Sequence, residues 1–107
     1  NHGGRQLDGS RSPFDQLKEI LDAVGGDIEV ICDGGIRRGT HILKAISLGA
    51  NACSGGRLYL YALAAAGKIG VLRSLENLKN ELTRNMKLLG CKNISELSPD
   101  NLRFRNE

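Results

Sequence analysis

Apolar residues along this chain return at helical spacing in several stretches and gather into short runs in two others. Phe14, Leu17, Ile20, Leu21 and Val24 fall on one helical face behind Ser12-Pro13, and Gly25-Gly26 ends the run. Residues 28–32 then predict a short buried strand, rich in β-branched residues, with Asp33-Gly34-Gly35 as a turn at its carboxyl end. Gly39 or Thr40 caps a second helix carrying Ile42, Leu43, Ile46 and Leu48, and Gly49 closes it. Ala52-Cys53-Ser54 predicts a second strand, followed by another glycine turn and a short apolar helix over 59–66. A longer helix is expected over 69–89, with Leu72, Leu75, Leu78, Leu82, Met86 and Leu89 on one face and polar residues opposite. Met86 on that stripe reads as core filler. Gly90 stops the helix, and Ile94, Leu97, Leu102 and Phe104 suggest a terminal segment that packs back on the body.

Strands that alternate with helices imply a parallel sheet. Two strands alone leave unpaired edges, so further strands are expected upstream. With no initiator Met, repeat or linker, residues 1–107 read as a single incomplete domain, the carboxyl-terminal portion of a larger one. A dinucleotide-binding unit would place G-x-G-x-x-G directly after a strand, and neither glycine turn has that pattern. A (β/α)8 barrel fits better, because its phosphate sites use the loops after strands 7 and 8 and a short extra helix. The expected fold class is therefore α/β, the carboxyl-terminal part of a TIM barrel, from the end of strand 6 through helix 8 plus a terminal segment.

Composition narrows the function classes. Hydrophobic residues make up 40% of the chain and charged residues 25%, the ordinary balance of a globular protein. A net charge of +3, two Tyr, two Phe and no Trp offer neither the basic face nor the stacking platforms of a nucleic-acid binder. The apolar run from Leu58 is broken by Gly67 and Lys68, short of the ~20 residues a membrane helix needs. Cys32, Cys53 and Cys91 are odd in number and lack metal-ligand spacing, so reduced, mostly buried thiols and no metal are expected.

Three segments carry candidate chemistry. Asp33-Gly34-Gly35-Ile36-Arg37 offers bare backbone N–H groups and a cation, the makings of an anion nest. Gly55-Gly56-Arg57 offers the same at a helix N-terminus, where the macrodipole also favours phosphate. Ordinary strand-to-helix turns with solvated arginines are the plainer alternative, and two such turns in tandem weigh against it. In Asn1-His2-Gly3-Gly4-Arg5-Gln6, His2 can accept a proton near neutral pH and Arg5 can grip a carboxylate with two parallel hydrogen bonds. His41 reads as a surface or capping residue, and Arg38 as a solvated neighbour of Arg37. Tyr59 and Tyr61 could line a site or pack a helix.

These residues resemble the FMN-dependent L-2-hydroxy acid oxidases and dehydrogenases, the family of L-lactate dehydrogenase, glycolate oxidase and flavocytochrome b2. Residues 1–6 match its active-site signature; Asp33 to Gly39 and Gly56-Arg57 match its FMN-phosphate segments. The likeness runs from Asn1 to at least Gly90, and Gly55 departs from the apolar residue many members carry there. The resemblance implies FMN-dependent oxidation of an L-2-hydroxy acid, L-lactate foremost, to the 2-keto acid. His2 would be the catalytic base and Arg5 the substrate carboxylate clamp. Asp33, Gly34, Gly35, Arg37, Gly56 and Arg57 would bind the cofactor. Oxygen, a quinone or a cytochrome would accept the electrons. A homotetramer is implied for the intact enzyme, cytoplasmic or peripheral on the inner face of a membrane, with the 107-residue piece inactive alone. Another FMN- or phosphate-binding barrel enzyme, such as an isomerase or flavin-dependent synthase, and a non-catalytic phosphate-ligand-binding fragment are the alternatives.

Overall fold

Helix α1 spans Pro13–Val24. Its start is set by Ser12, whose Oγ accepts the Asp15 N–H at 3.2 Å, and its end by Gly25 in the left-handed region. A computed structural model describes residues 5–105 of the chain. After α1 come β1 (Ile31–Asp33), α2 (Gly39–Leu48), β2 (Ala52–Ser54) and α3 (Arg57–Leu89), then 3-10 turns at Ile94–Glu96 and Pro99–Asn101. The strands pair in parallel, Ile31 with Ala52, Cys32 with Cys53 and Asp33 with Ser54.

β1 begins three residues later than the apolar run suggests. The Val30 N–H goes to Asn51 Oδ1 at 2.7 Å, and the Val30 carbonyl accepts the Asn51 N–H at 2.9 Å. Asn51 thus stands where a longer β2 would have continued the ladder. Nor is β1 buried on both faces: Cys32 is 3% exposed, while Ile31 is 62% exposed. The reason is one-sided cover, since α1 and α2 pack against a single face of the sheet.

That face holds one core cluster, Leu17, Cys32, Ala45 and Ala50. A second, of Leu43, Met86, Cys91 and Leu97, joins α2 to the distal part of α3 and to the terminal segment. Met86 is core, as its place on the stripe suggests. The stripe itself is buried only in part, because Leu72 and Leu75 are exposed.

α3 is broken where the sequence separates two helices. Ala66 and Gly67 leave helical geometry, and Gly67 takes φ 56° with ψ −143°, a conformation essentially reserved for glycine. Gly70 lets the two arms approach, since a Cβ there would sit 2.1 Å from the Ala62 carbonyl oxygen. By length and composition alone α3 holds an 18-residue window apolar enough to cross a membrane, with a mean hydropathy of 1.2. The break at Ala66 and Gly67 interrupts that span.

Candidate functional site

Both strands run out into glycine turns on the same side of the sheet. The Asp33–Ser54 pairing sets the two turns side by side, at the ~4.8 Å spacing of neighbouring strands. In the first turn Gly34 and Gly35 have φ of 124° and 73°, and glycine is what lets the backbone double back there. Ile36 then plugs into the body, 7% exposed.

Side chains from elsewhere hold this first turn. His41, half-buried on α2, brings Nδ1 to 3.2 Å from the Arg37 N–H and 3.0 Å from the Gly35 carbonyl oxygen. Glu81, on α3, pairs with Arg38 and accepts the Gly39 N–H at 2.6 Å. It thereby caps α2 from another helix. The Arg38 hydrogen bond, then the Gly39 N–H, hold the Glu81 carboxyl below the usual carboxylate range. Gly39 is obligatory at this contact, because a Cβ would lie 2.4 Å from the Leu82 nitrogen.

The second turn is made differently. The Tyr59 ring lies over Gly55, so close that a Cβ there would be 2.8 Å from a ring carbon. Gly56 is the N-cap of α3, and no side chain caps the helix. Its carbonyl takes the N–H groups of Tyr59 and Leu60, at 3.0 and 3.2 Å. The N–H groups of Arg57 and Leu58, ahead of the first intrahelical bond, have no backbone acceptor among the described residues, as at an uncapped helix start.

Asp33, Gly34, Gly35, Ile36 and Arg37 from the first turn share one cleft with Gly56, Arg57 and Leu58 from the second. Arg37 and Arg57 are exposed there, and neither has a carboxylate partner among the described residues. Two exposed arginines, a helix N-terminus and glycine backbone at one cleft fit a phosphate group. The open side of the sheet forms an adjoining basin of about 1400 Å³, lined by Arg5, Ile31, Asp33, Gly56, Arg57 and Leu60 among others. Arg5 therefore faces the same basin as the second turn. His2 lies outside the described residues.

Two sequence readings need correction or refinement. Arg38 is solvent-exposed beside Arg37, as its sequence position suggests, but it is also engaged by Glu81. His41 is a capping residue, but what it caps is the anion turn. Its i+4 spacing from Arg37 was a usable signal. For Glu81, 42 residues from Gly39, no local pattern could have revealed the contact. Tyr59 packs on Gly55 and Tyr61 is exposed. Burial pushes the Cys53 thiol up to about 11 and raises that of Cys32, so neither is a nucleophile at neutral pH. No cluster of metal-ligating side chains occurs among the described residues.

The chain matches the FMN-dependent dehydrogenase family over residues 1–104 and belongs to it. 2-Hydroxyacid oxidase 2 of Rattus norvegicus is 49% identical over 104 residues, 97% of this chain and 30% of that protein. A flavocytochrome b2 mutant with pyruvate bound superposes with a TM-score of 0.88 at 44% identity, over 98% of this chain and 28% of its own. A soluble mutant of the membrane-associated (S)-mandelate dehydrogenase from Pseudomonas putida gives 0.88 at 46% identity, over 96% and 29%. The chain thus spans a little under a third of the length of these relatives.

Proposed function

We propose that the full-length protein oxidises an L-2-hydroxy acid to the 2-keto acid with FMN, and that this chain is the carboxyl-terminal part of its (β/α)8 barrel. The observation that carries the reading is the convergence of two glycine turns, each with an arginine that has no carboxylate partner among the described residues, on one cleft beside a basin that Arg5 lines. Arg37, Arg57 and the backbone of Gly34, Gly35 and Gly56 would hold the FMN phosphate, and Asp33 would accept from the ribityl hydroxyls. When bound, FMN supplies an electron-poor ring system that takes up two electrons from the substrate. Arg5 grips the substrate carboxylate and thereby orients its C2 carbon. His2 takes the proton. L-lactate is the substrate to try first, since a flavocytochrome b2 relative holds pyruvate, the keto acid of lactate. Oxygen, a quinone or a cytochrome completes the turnover, in a homotetramer that is cytoplasmic or peripheral on a membrane.

His2 and Arg5 should fail in different ways in the full-length enzyme. His2→Gln should slow flavin reduction by about 10²–10⁴-fold, the usual worth of a positioned base, with keto-acid binding little changed. Arg5→Lys keeps the charge but loses the planar fork, so ligand binding and turnover should fall together. Stopped-flow flavin reduction and ligand titration by flavin absorbance read the two quantities separately. A His2→Gln enzyme that reduces flavin at the parental rate would end the hydroxy acid reading.

A further inference from the structure

We propose that His41 is a positioning residue for the cofactor phosphate, holding the Gly35–Arg37 backbone in its anion-binding shape. The inference rests on the FMN reading above and extends it to a side chain outside the family signature motifs. One ring nitrogen of His41 faces both an acceptor, the Gly35 carbonyl at 3.0 Å, and a donor, the Arg37 N–H at 3.2 Å. With the proton on Nδ1 the ring donates to Gly35; with the proton on Nε2 it accepts from Arg37. Either way the ring stays bonded to the turn.

The turn needs such a tie. Gly34 and Gly35 are consecutive positive-φ glycines, the residues with most backbone freedom to lose when a ligand orders them. Fixing the turn beforehand removes that entropy from the binding step. His41 also acts from a firm base, because α2 is capped by Glu81 and its Leu43 and Ala45 are buried. The tie engages only backbone groups of Gly35 and Arg37, so the Arg37 guanidinium still lines the cleft beside Arg57.

The test compares FMN with riboflavin, which lacks the phosphate, on the full-length apoprotein. His41→Ala should raise the FMN dissociation constant roughly 3- to 10-fold, the worth of one hydrogen bond, and leave riboflavin affinity unchanged. His41→Asn places an amide oxygen near the position of Nδ1 and should restore most of the FMN affinity. A general loss of structure would instead weaken both flavins alike and lower the melting temperature. The proposal is overturned if His41→Ala binds FMN as the parent does, if both flavins weaken equally, or if Asn gives no rescue. A parent protein that binds no FMN at all would overturn the functional reading itself, and the role of His41 with it.

Discussion

The two glycine turns that meet at the anion cleft keep their shapes by opposite means. The first is tied from outside, by His41 on α2 and by Glu81 reaching from α3. The second has no side-chain cap; an aromatic ring covers one glycine, and the other opens the helix with its first N–H groups unspent. A phosphate site of the kind proposed would make two demands, and the turns divide them. One turn contributes a defined backbone shape with positive-φ glycines, which are floppy unless held. The other contributes a helix N-terminus, whose field acts only if nothing else occupies its donors.

Substituting the crowded glycine beside each turn, Gly39 at the first and Gly55 at the second, breaks this asymmetry most directly. At Gly39 an added Cβ would meet the Leu82 nitrogen at 2.4 Å and the Leu78 carbonyl oxygen at 2.6 Å, both backbone atoms that cannot step aside. Gly39→Ala should therefore destabilise the full-length protein by roughly 3 kcal/mol, the upper end of overpacking. At Gly55 the obstacle is the Tyr59 ring, which can swing away. Gly55→Ala should stay within about 1 kcal/mol of the parent. Urea unfolding of both variants gives the comparison, and equal losses would mean that the second turn is held as rigidly as the first.

How much of this could be read from the residues follows from the range of each interaction. α1 was legible because its caps lie next to it, Ser12 accepting from Asp15 and Gly25 ending the helix with positive φ, and Gly49 ends α2 in the same way. The break in α3 was legible for the same reason, since Gly67 marks it. The start of α2 was not, since Arg38 rather than Gly39 or Thr40 is its N-cap and Glu81 takes the Gly39 N–H. The two glycine turns were legible as turns, and the structure brings them to one cleft. Contacts between distant segments were not legible. Asn51 takes the Val30 N–H and so delays β1, although the apolar run starts at Ile28. Glu81 looks like one more polar residue on the outer face of a long helix, and only the crossing of α3 with α2 makes it a cap. The leucine stripe of α3 misleads in the opposite direction. Spacing shows which face is apolar, but Leu72 and Leu75 remain exposed among the described residues.

The arginines sharpen the comparison at the level of the ligand. Replacing Arg37 or Arg57 with Ala in the full-length enzyme should remove one charge-assisted phosphate contact, worth roughly 1.5–3 kcal/mol, or about ten- to hundredfold in FMN affinity. Substrate KM in the fraction that keeps flavin should change little. Flavin quantitation after gel filtration reads the loss. Because both guanidinium groups line one cleft, the double variant should weaken FMN by less than the sum of the two singles. Strict additivity would place the arginines on separate ligand groups instead.

The smallest expected effect concerns Glu81, and it has a sign that pH can test. Arg38 and the Gly39 N–H lower the folded-state pKa of this carboxyl below its unfolded value. Such a group stabilises the fold above the unfolded pKa, and that contribution is lost as pH falls through the folded one. Glu81→Gln keeps an oxygen that can accept from Gly39 but has no charge for Arg38. The variant should therefore melt slightly below the parent at neutral pH. The two should converge as the buffer is taken well below the ordinary carboxylate value of about 4. Arg38 is largely exposed, so added salt should also shrink the gap at neutral pH. A gap that persists unchanged in acid would mean that Glu81 holds the first turn through shape alone, as Tyr59 does the second.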